Sequence, residues 1–111
     1  MKLTIPNRKL SKRLLDPVET VKNYGLPIAK RINQRLQEFE AAENLEVIRS
    51  FPAANCHELT GQSAGRLAVD ISANYRLIIQ PAEDPPPLKA DGGLDWSAVT
   101  EILILEIVDY H

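Results

Sequence analysis

The alternation of apolar and polar positions predicts a small β-sheet in the second half of the chain. From residue 66 to residue 72, apolar side chains occupy every second position, which is the period of a half-buried strand. Residues 73–74 suit a tight turn into a second strand over 75–80, which completes a hairpin. Residues 100–108 form an almost unbroken apolar run, which predicts an interior strand buried on both faces. Residues 2–5 are a candidate fourth strand, at the sheet edge.

The first half of the chain has helical periodicity instead. Asn7 can cap a short helix, and Asp16 followed by Pro17 favours the start of a second helix that runs towards Gly25. A third helix is predicted from Pro27 to about residue 43, because apolar residues there recur at spacings of four, four and three. Helices followed by strands predict an α+β fold, with N-terminal helices packed on one face of a small, mostly antiparallel twisted sheet.

The length and composition are those of one globular domain spanning residues 1–111. Hydrophobic residues make up 44% of the chain and charged residues 25%. The longest strongly apolar run, Ile102–Leu105, is far shorter than the roughly 20 residues that cross a bilayer. The N-terminus does not resemble a secretory signal. Because Cys56 is the only cysteine, no internal disulfide can form, and we expect a cytoplasmic protein without a membrane association.

The charges are divided unequally along the chain. Residues 1–35 contain nine basic and two acidic residues, a balance of +7, whereas residues 36–111 contain four basic and thirteen acidic residues, a balance of −9. A basic region can attract a polyanion such as a nucleic acid. The other interpretation is that these cations only solvate helix surfaces. The formal net charge of −2 does not decide between them.

Few residue combinations in the sequence point to chemistry. The glycines lack the spacing of a phosphate-binding loop, and the cysteine and two histidines lack the spacing of a zinc site. Cys56 and His57 are adjacent, but neighbouring side chains on an extended chain point apart. A buried, unreactive thiol is therefore the prediction for Cys56.

Two histidines remain as candidates for acid–base catalysis. His57 precedes the hairpin and His111 follows the last strand, so the two imidazoles would share a cleft if these ends meet. Arg76 could offset the charge that develops on a phosphate, and Tyr110 could stack on a base. Attack of a ribose 2′-hydroxyl on its own phosphate needs only these groups and no metal. Each residue also has an ordinary structural interpretation, as a surface or core side chain.

Four short motifs, in order, resemble the RelE/ParE superfamily of bacterial toxins. They are His57-Glu58-Leu59-Thr60-Gly61, then Gly65, then Tyr75-Arg76-Leu77-Ile78, and finally Asp109-Tyr110-His111. The resemblance covers essentially the whole chain. It is strongest to the HigB branch, the killer proteins of plasmid and chromosomal toxin–antitoxin modules.

This resemblance implies a microbial ribonuclease fold and ribosome-dependent cleavage of translated mRNA without a cofactor. It also implies a helix-turn-helix antitoxin, and operator DNA bound through the complex of the two proteins. The catalytic residues carried over by position are His57, Asp109, Tyr110 and His111, with Arg76 contacting phosphate. The residues then expected to bind RNA or the ribosome are Arg8, Lys9, Lys12, Arg13, Lys30, Arg31, Arg35 and Arg66.

Two features depart from the HigB pattern and keep other functions open. Thr60 stands where these toxins often have lysine, and the acidic Pro81–Asp95 loop is additional. One alternative is a ParE-like toxin that poisons DNA gyrase. Another is a catalytically weakened protein that acts as a binding partner in the regulation of its operon.

Overall fold

A computed structural model describes residues 1–109, so that Tyr110 and His111 lie outside the described residues. The helices and strands follow one another along the chain as β1 (Lys2–Thr4), α1 (Arg8–Leu15), α2 (Pro17–Tyr24), α3 (Leu26–Ala41), α4 (Leu45–Arg49), β2 (His57–Glu58), β3 (Leu67–Asp70), β4 (Tyr75–Pro81) and β5 (Glu101–Asp109). Short 3₁₀ turns occur at Pro52–Ala54, Gly61–Ser63 and Trp96–Ala98. Among the described residues, no helix is long and apolar enough to cross a membrane.

The helix boundaries follow from local capping chemistry. The Asn7 side chain accepts a hydrogen bond from the Leu10 amide at 2.9 Å, and the Asp16 carboxylate accepts one from the Val18 amide at 3.0 Å. Gly25 separates α2 from α3 with a φ of 81°, a conformation that side chains with a Cβ rarely adopt. The three predicted helices are therefore confirmed. The sequence pattern missed α4, because five residues are too few to show a helical period.

The sheet contains five strands in the order β1-β5-β4-β3-β2. β1 pairs with β5 in parallel and lies at one edge, and the other pairings are antiparallel. The predicted hairpin and the N-terminal edge strand are confirmed, whereas the two-residue β2 was not predicted. The interior position of β5 is also confirmed, but its predicted burial on both faces is wrong. Ile102 and Ile104 are fully buried, whereas Leu103 is only partly buried and Glu106 is exposed.

The core lies between the helices and one face of the sheet. The α3 stripe buries Ile32 and Phe39 completely, against sheet residues that include Val69, Leu77 and Ile104. Residues paired directly across neighbouring strands share a face of the sheet. The residues that alternate with this core set, including Arg76, therefore lie on the opposite face, which we call the outer face.

Arg35 corrects one prediction. The residue was expected among the cations available to bind RNA or the ribosome, but it is 5% exposed. Its Nε donates a hydrogen bond to the Asp70 carbonyl oxygen at 2.8 Å, and its Nη1 contacts a Glu38 carboxylate oxygen at 3.0 Å. Arg35 lies between the buried positions 32 and 36 and is long enough to reach the end of β3. It therefore joins α3 to the hairpin and does not face solvent.

Candidate functional site

The outer face of the sheet carries two predicted residues, His57 on β2 and Arg76 on β4. His57 pairs with Ala68, Ala68 pairs with Ile78, and Asp70 pairs with Arg76. Since directly paired residues share a face, His57, Asp70 and Arg76 all lie on the side opposite the helices. With strands about 4.8 Å apart and about 3.4 Å of rise per residue, the His57 and Arg76 backbones are separated by roughly 12 Å.

The Asp70 carboxylate contacts two neighbouring residues, Arg76 and Asn55. Its Oδ1 lies 3.2 Å from Arg76 Nε, within ion-pair distance. The geometry of this contact is not that of a hydrogen bond, and the buried Oδ1 accepts no hydrogen bond. Its Oδ2 accepts a hydrogen bond from the Asn55 side-chain amide at 3.2 Å. Asn55 ends a 3₁₀ turn with a φ of 43°, in the left-handed region that asparagine tolerates better than most residues.

The backbone of Asn55 also fixes the His57 ring. His57 Nδ1 lies 2.8 Å from the Asn55 carbonyl oxygen. A carbonyl oxygen only accepts, so Nδ1 carries the proton in this contact. In the neutral ring, Nε2 is then left with its lone pair, which is the form that a general base requires. The contact therefore orients His57 and selects a catalytically useful tautomer.

These contacts form a chain from His57 through Asn55 and Asp70 to Arg76. The sequence indicated the two ends of the chain and missed its middle. Asp70 could have been found, because it occupies a polar outward position of the predicted strand. Asn55 gave no signal, since its role depends on a turn that brings it beside a residue fifteen positions later.

Asp109, the one C-terminal candidate among the described residues, lies away from His57. The residue pairing that starts at His57 continues across β3 and β4 and reaches β5 at Glu106. Glu106 lies three residues before Asp109. Two strands separate β2 from β5, so His57 is roughly 14 Å from β5. Asp109 pairs with Tyr75, whose ring lies on the helix side and makes an edge-to-face contact with Tyr24 at 5.6 Å. Tyr110 and His111 lie outside the described residues.

A polar cleft of about 460 Å³ opens beside Asp70 at the tip of the hairpin. It lies where α3 meets the turn between β3 and β4, and it contains an exposed arginine, Arg31, next to the buried Arg35. The remaining lining is small or polar and comprises Gln34, Ala53, Ile71, Ser72 and Ala73. The cleft thus joins the basic helical layer to the outer face.

The other predicted RNA-binding cations are exposed, on two different sides of the sheet. Those of the helical layer are Arg8, Lys9, Lys12, Arg13, Lys30 and Arg31. Arg66 lies on the outer face and forms a 3.9 Å ion pair with Glu106. Lys12 forms a 3.8 Å ion pair with Glu19. Both are exposed pairs of small energetic value, which a polyanion can displace.

The acidic loop lies at the far end of the strands from Arg76. It begins after Pro81, which pairs with Ile102 near the start of β5, whereas Arg76 pairs with Val108 near its end. Pro81 lies five residues from Arg76 along β4, a distance of roughly 17 Å. The Glu83 carboxylate accepts hydrogen bonds from the amides of residues 100 and 101, each at 3.2 Å. This acid therefore has a structural role in the loop.

The free thiol is unsuited to nucleophilic catalysis. Burial raises the pKa of Cys56 to about 12, against a smaller opposing effect of Arg49. At neutral pH the thiolate, which is the nucleophilic form, is therefore almost absent. The part of the chain covered by the structure also contains no cluster of three or more His, Cys, Asp or Glu side chains that could hold a metal ion.

No protein-family model matches the chain, and no curated protein is significantly similar to it in sequence. Among solved structures, the chain is similar to the YoeB/ParE toxin from Agrobacterium tumefaciens, with a TM-score of 0.57 over 100% of both chains and 13% sequence identity. At that identity the likeness concerns the fold. The predicted α+β class is thereby confirmed, as the fold of a YoeB/ParE toxin.

Proposed function

We propose that this protein is the toxin of a toxin–antitoxin module and cleaves translated mRNA on the ribosome. The observation that carries the proposal is the placement of His57 and Arg76 on one face, with the His57 tautomer set by the Asn55 carbonyl. The likeness in fold to a YoeB/ParE toxin supports the same class of protein. The HigB branch, with its helix-turn-helix antitoxin, follows only from the sequence motifs.

The proposed reaction is transfer of a phosphate ester within the RNA. His57 Nε2 takes the proton from a ribose 2′-hydroxyl, and that oxygen attacks the adjacent phosphorus. The bond from phosphorus to the 5′-oxygen breaks, and a general acid, which we assign to His111, protonates the leaving oxygen. The products are a 2′,3′-cyclic phosphate and a 5′-hydroxyl. Arg76 offsets the charge that develops on the phosphoryl oxygens.

RNA binding is assigned to both sides of the sheet. Arg66 and Arg76 share the outer face with His57, and Arg31 lines the cleft at the hairpin tip; we propose that all three contact RNA. The exposed cations of the helical layer are proposed to contact ribosomal RNA, since phosphate contacts supply affinity without sequence preference. Tyr110 is proposed to stack on a base, and Asp109 to support the C-terminal group.

Inducing the protein in a bacterial host tests the proposal directly. The 5′ ends of cellular mRNA are mapped for the wild type and for His57→Ala, Arg76→Ala and His111→Ala. Lys89→Ala, an exposed cation on the acidic loop, is the matched control. New 5′ ends inside translated codons are expected for the wild type and the control and not for the three site variants. Cleavage that persists in all three folded variants would refute the assignment.

Two alternatives from the sequence are separated by the same experiment. Growth arrest without new 5′ ends, together with inhibited supercoiling by purified gyrase, would identify a ParE-like poison. Expression without growth arrest would identify a weakened protein that acts through binding to its antitoxin and operator. Neither alternative requires the His57 contact with Asn55.

A further inference from the structure

The outer face carries a carboxylate, Glu106, that the proposed reaction does not use. Glu106 lies on β5 and pairs with Ile78 of β4. Arg66, the residue before β3, reaches across β4 and forms an ion pair with it. The Arg66 and Glu106 side chains are 45% and 54% exposed. The pair is therefore accessible on the face where RNA is proposed to bind.

The geometry of the pair leaves its hydrogen-bonding groups available to a ligand. Arg66 Nη1 is 3.9 Å from Glu106 Oε1, which is beyond hydrogen-bond distance. Neither side chain forms a hydrogen bond with any residue of the described chain. The guanidinium thus presents N–H donors beside a carboxylate whose oxygens can accept.

The pair lies close to the proposed phosphate-binding arginine. Arg76 pairs with Val108, so Glu106 is its diagonal neighbour across the strands, at roughly 7–8 Å. A carboxylate at that position repels a phosphate. The part of the nucleotide that Glu106 can bind must therefore supply hydrogen-bond donors, as the edge of a base does.

We propose that Arg66 and Glu106 recognise a guanine beside the scissile phosphate. Along its Watson–Crick edge, guanine presents the O6 acceptor, then the N1–H donor and then the N2–H donor. Arg66 donates to O6, and the two Glu106 oxygens accept from N1–H and N2–H. This inference rests on the proposed function for its substrate, a single-stranded RNA whose bases can be read on this edge.

The other three bases lack this order of groups. Adenine and cytosine have an amino donor where guanine has O6, and a ring nitrogen that only accepts where guanine has N1–H. Uracil has the acceptor and the ring N–H, but it has a second acceptor oxygen in place of N2–H. Each of these bases would place an acceptor against the carboxylate or a donor against the guanidinium, and the groups so opposed would have no partner.

Binding of uncleavable RNA to the full chain tests this inference. The probes are 2′-O-methyl uridine tracts of about eight nucleotides that carry guanine, adenine, cytosine or uracil at one central position. The methyl group blocks cleavage and removes the ribose hydroxyl as a donor. We expect the guanine probe to bind at least about ten-fold more tightly than the other three in low salt. Equal affinity for the four probes, or no binding of any, would overturn the inference.

A fifth probe tests the contact with Glu106 atom by atom. Inosine retains O6 and N1–H of guanine and lacks only the N2 amino group. It should bind about five-fold less tightly than guanine, the scale of one hydrogen bond. An inosine probe that binds as tightly as the guanine probe would contradict the assigned pairing.

Variants locate the recognition at the pair. Glu106→Gln should abolish the difference between guanine and inosine. Arg66→Gln should weaken the binding of both probes and leave their difference in place, because Arg66 contacts the O6 that they share. Glu101→Gln is the matched control, since it removes the same charge from an exposed position at the other end of β5. A guanine preference that folded Glu106→Gln retains, or that the control loses, would overturn the inference.

Cleavage on programmed ribosomes separates this inference from the proposed function. We expect wild-type protein to cut fastest where guanine adjoins the cleaved bond, and Glu106→Gln to lose at least about five-fold more rate on such codons than on others. An equal loss on all codons would assign Glu106 to the chemistry and overturn the inference. Selective binding of the guanine probe by a chain that cuts no RNA would refute the ribonuclease and retain the guanine site.

Discussion

Asp70 and Arg76 face each other across the β3–β4 ladder, with Asp70 Oδ1 3.2 Å from Arg76 Nε. Both side chains are about one-third exposed, so the ion pair adds little to stability after solvent screening. Its position matters more. Asn55 holds the other carboxylate oxygen, and the Asn55 carbonyl holds His57. The pair therefore links the orientation of the proposed phosphate-binding arginine to that of the proposed base.

Replacing Asp70 tests whether this link has a functional role. Asp70→Asn removes the charge facing Arg76 while preserving the size of the side chain. We expect the rate constant of RNA cleavage at saturating ribosome to fall about ten-fold, the scale of a lost charge-assisted contact of about 1.4 kcal/mol. The melting temperature should change little.

Gln80→Ala, on the same face of β4 and outside the contact chain, is the control for this measurement. An unchanged rate constant in folded Asp70→Asn would show that the contact is only structural. A loss of affinity with an unchanged rate constant would show that Asp70 acts on binding and does not position Arg76.

Arg31 and Arg35 lie one helical turn apart, and their substitutions should affect different properties. Replacing Arg35 should lower stability, and replacing Arg31 should weaken RNA binding. Arg35→Ala removes a buried guanidinium that contacts Asp70 and Glu38. We expect it to lower the free energy of unfolding by about 2–3 kcal/mol and the melting temperature by about 10 °C. Arg31→Ala removes an exposed cation of the cleft. It should leave stability unchanged and weaken RNA binding.

Thermal denaturation and RNA filter binding measure the two effects separately. A stable Arg35→Ala variant with weakened RNA binding would reverse the assignment and restore Arg35 as a surface contact.

The sequence predicted most of the fold, because its helices and hairpin are set by local patterns. Asn7 and Asp16 cap helices where the sequence indicates, and alternation marks β3 and β4. The errors concern tertiary structure. A continuous apolar run suggested that β5 is covered on both sides, but the helices cover only one. Arg35 was expected among the RNA-binding cations, because helical periodicity gives the direction of a side chain and not the contact at its tip.

The candidate site was predictable only in part, for a related reason. His57 and Arg76 were identified as single residues with suitable chemistry, and the strand register places them on one face. Asn55 contributes through its backbone carbonyl and through a turn with positive φ. Neither the contact of a backbone carbonyl nor a positive φ can be read from the identity of the residue.

Cys56 should make the stability depend on pH in alkaline solution. Burial raises its pKa from 9.0 to about 12, so the folded chain holds the thiol proton more tightly than the unfolded chain. Its contribution is fully present below pH 9 and is lost as the pH rises towards 12. The loss is at most about 1.4 kcal/mol per pH unit.

The difference in unfolding free energy between the wild type and Cys56→Ala isolates this contribution, since other alkaline titrations are common to both proteins. We expect the difference to diminish from pH 9 upwards. A constant difference across this range would mean that the thiol is accessible in the folded chain, and rapid reaction with a maleimide at pH 8 would agree with that.

Two substitutions of His57 separate its structural contact from its proposed chemistry. The side-chain amide of His57→Asn can replace Nδ1–H as the donor to the Asn55 carbonyl, but it supplies no base in place of Nε2. We expect this variant to keep the wild-type stability and to lose at least about 100-fold in cleavage rate, the scale of general base catalysis. His57→Ala should show the same loss of cleavage rate as His57→Asn. It should also lose about 1 kcal/mol of stability, because the Asn55 carbonyl loses its hydrogen-bond partner. Single-turnover cleavage on programmed ribosomes and thermal denaturation provide the two readouts. If His57→Asn cleaves at the wild-type rate, His57 serves to hold the Asn55 turn, and the base must be sought elsewhere.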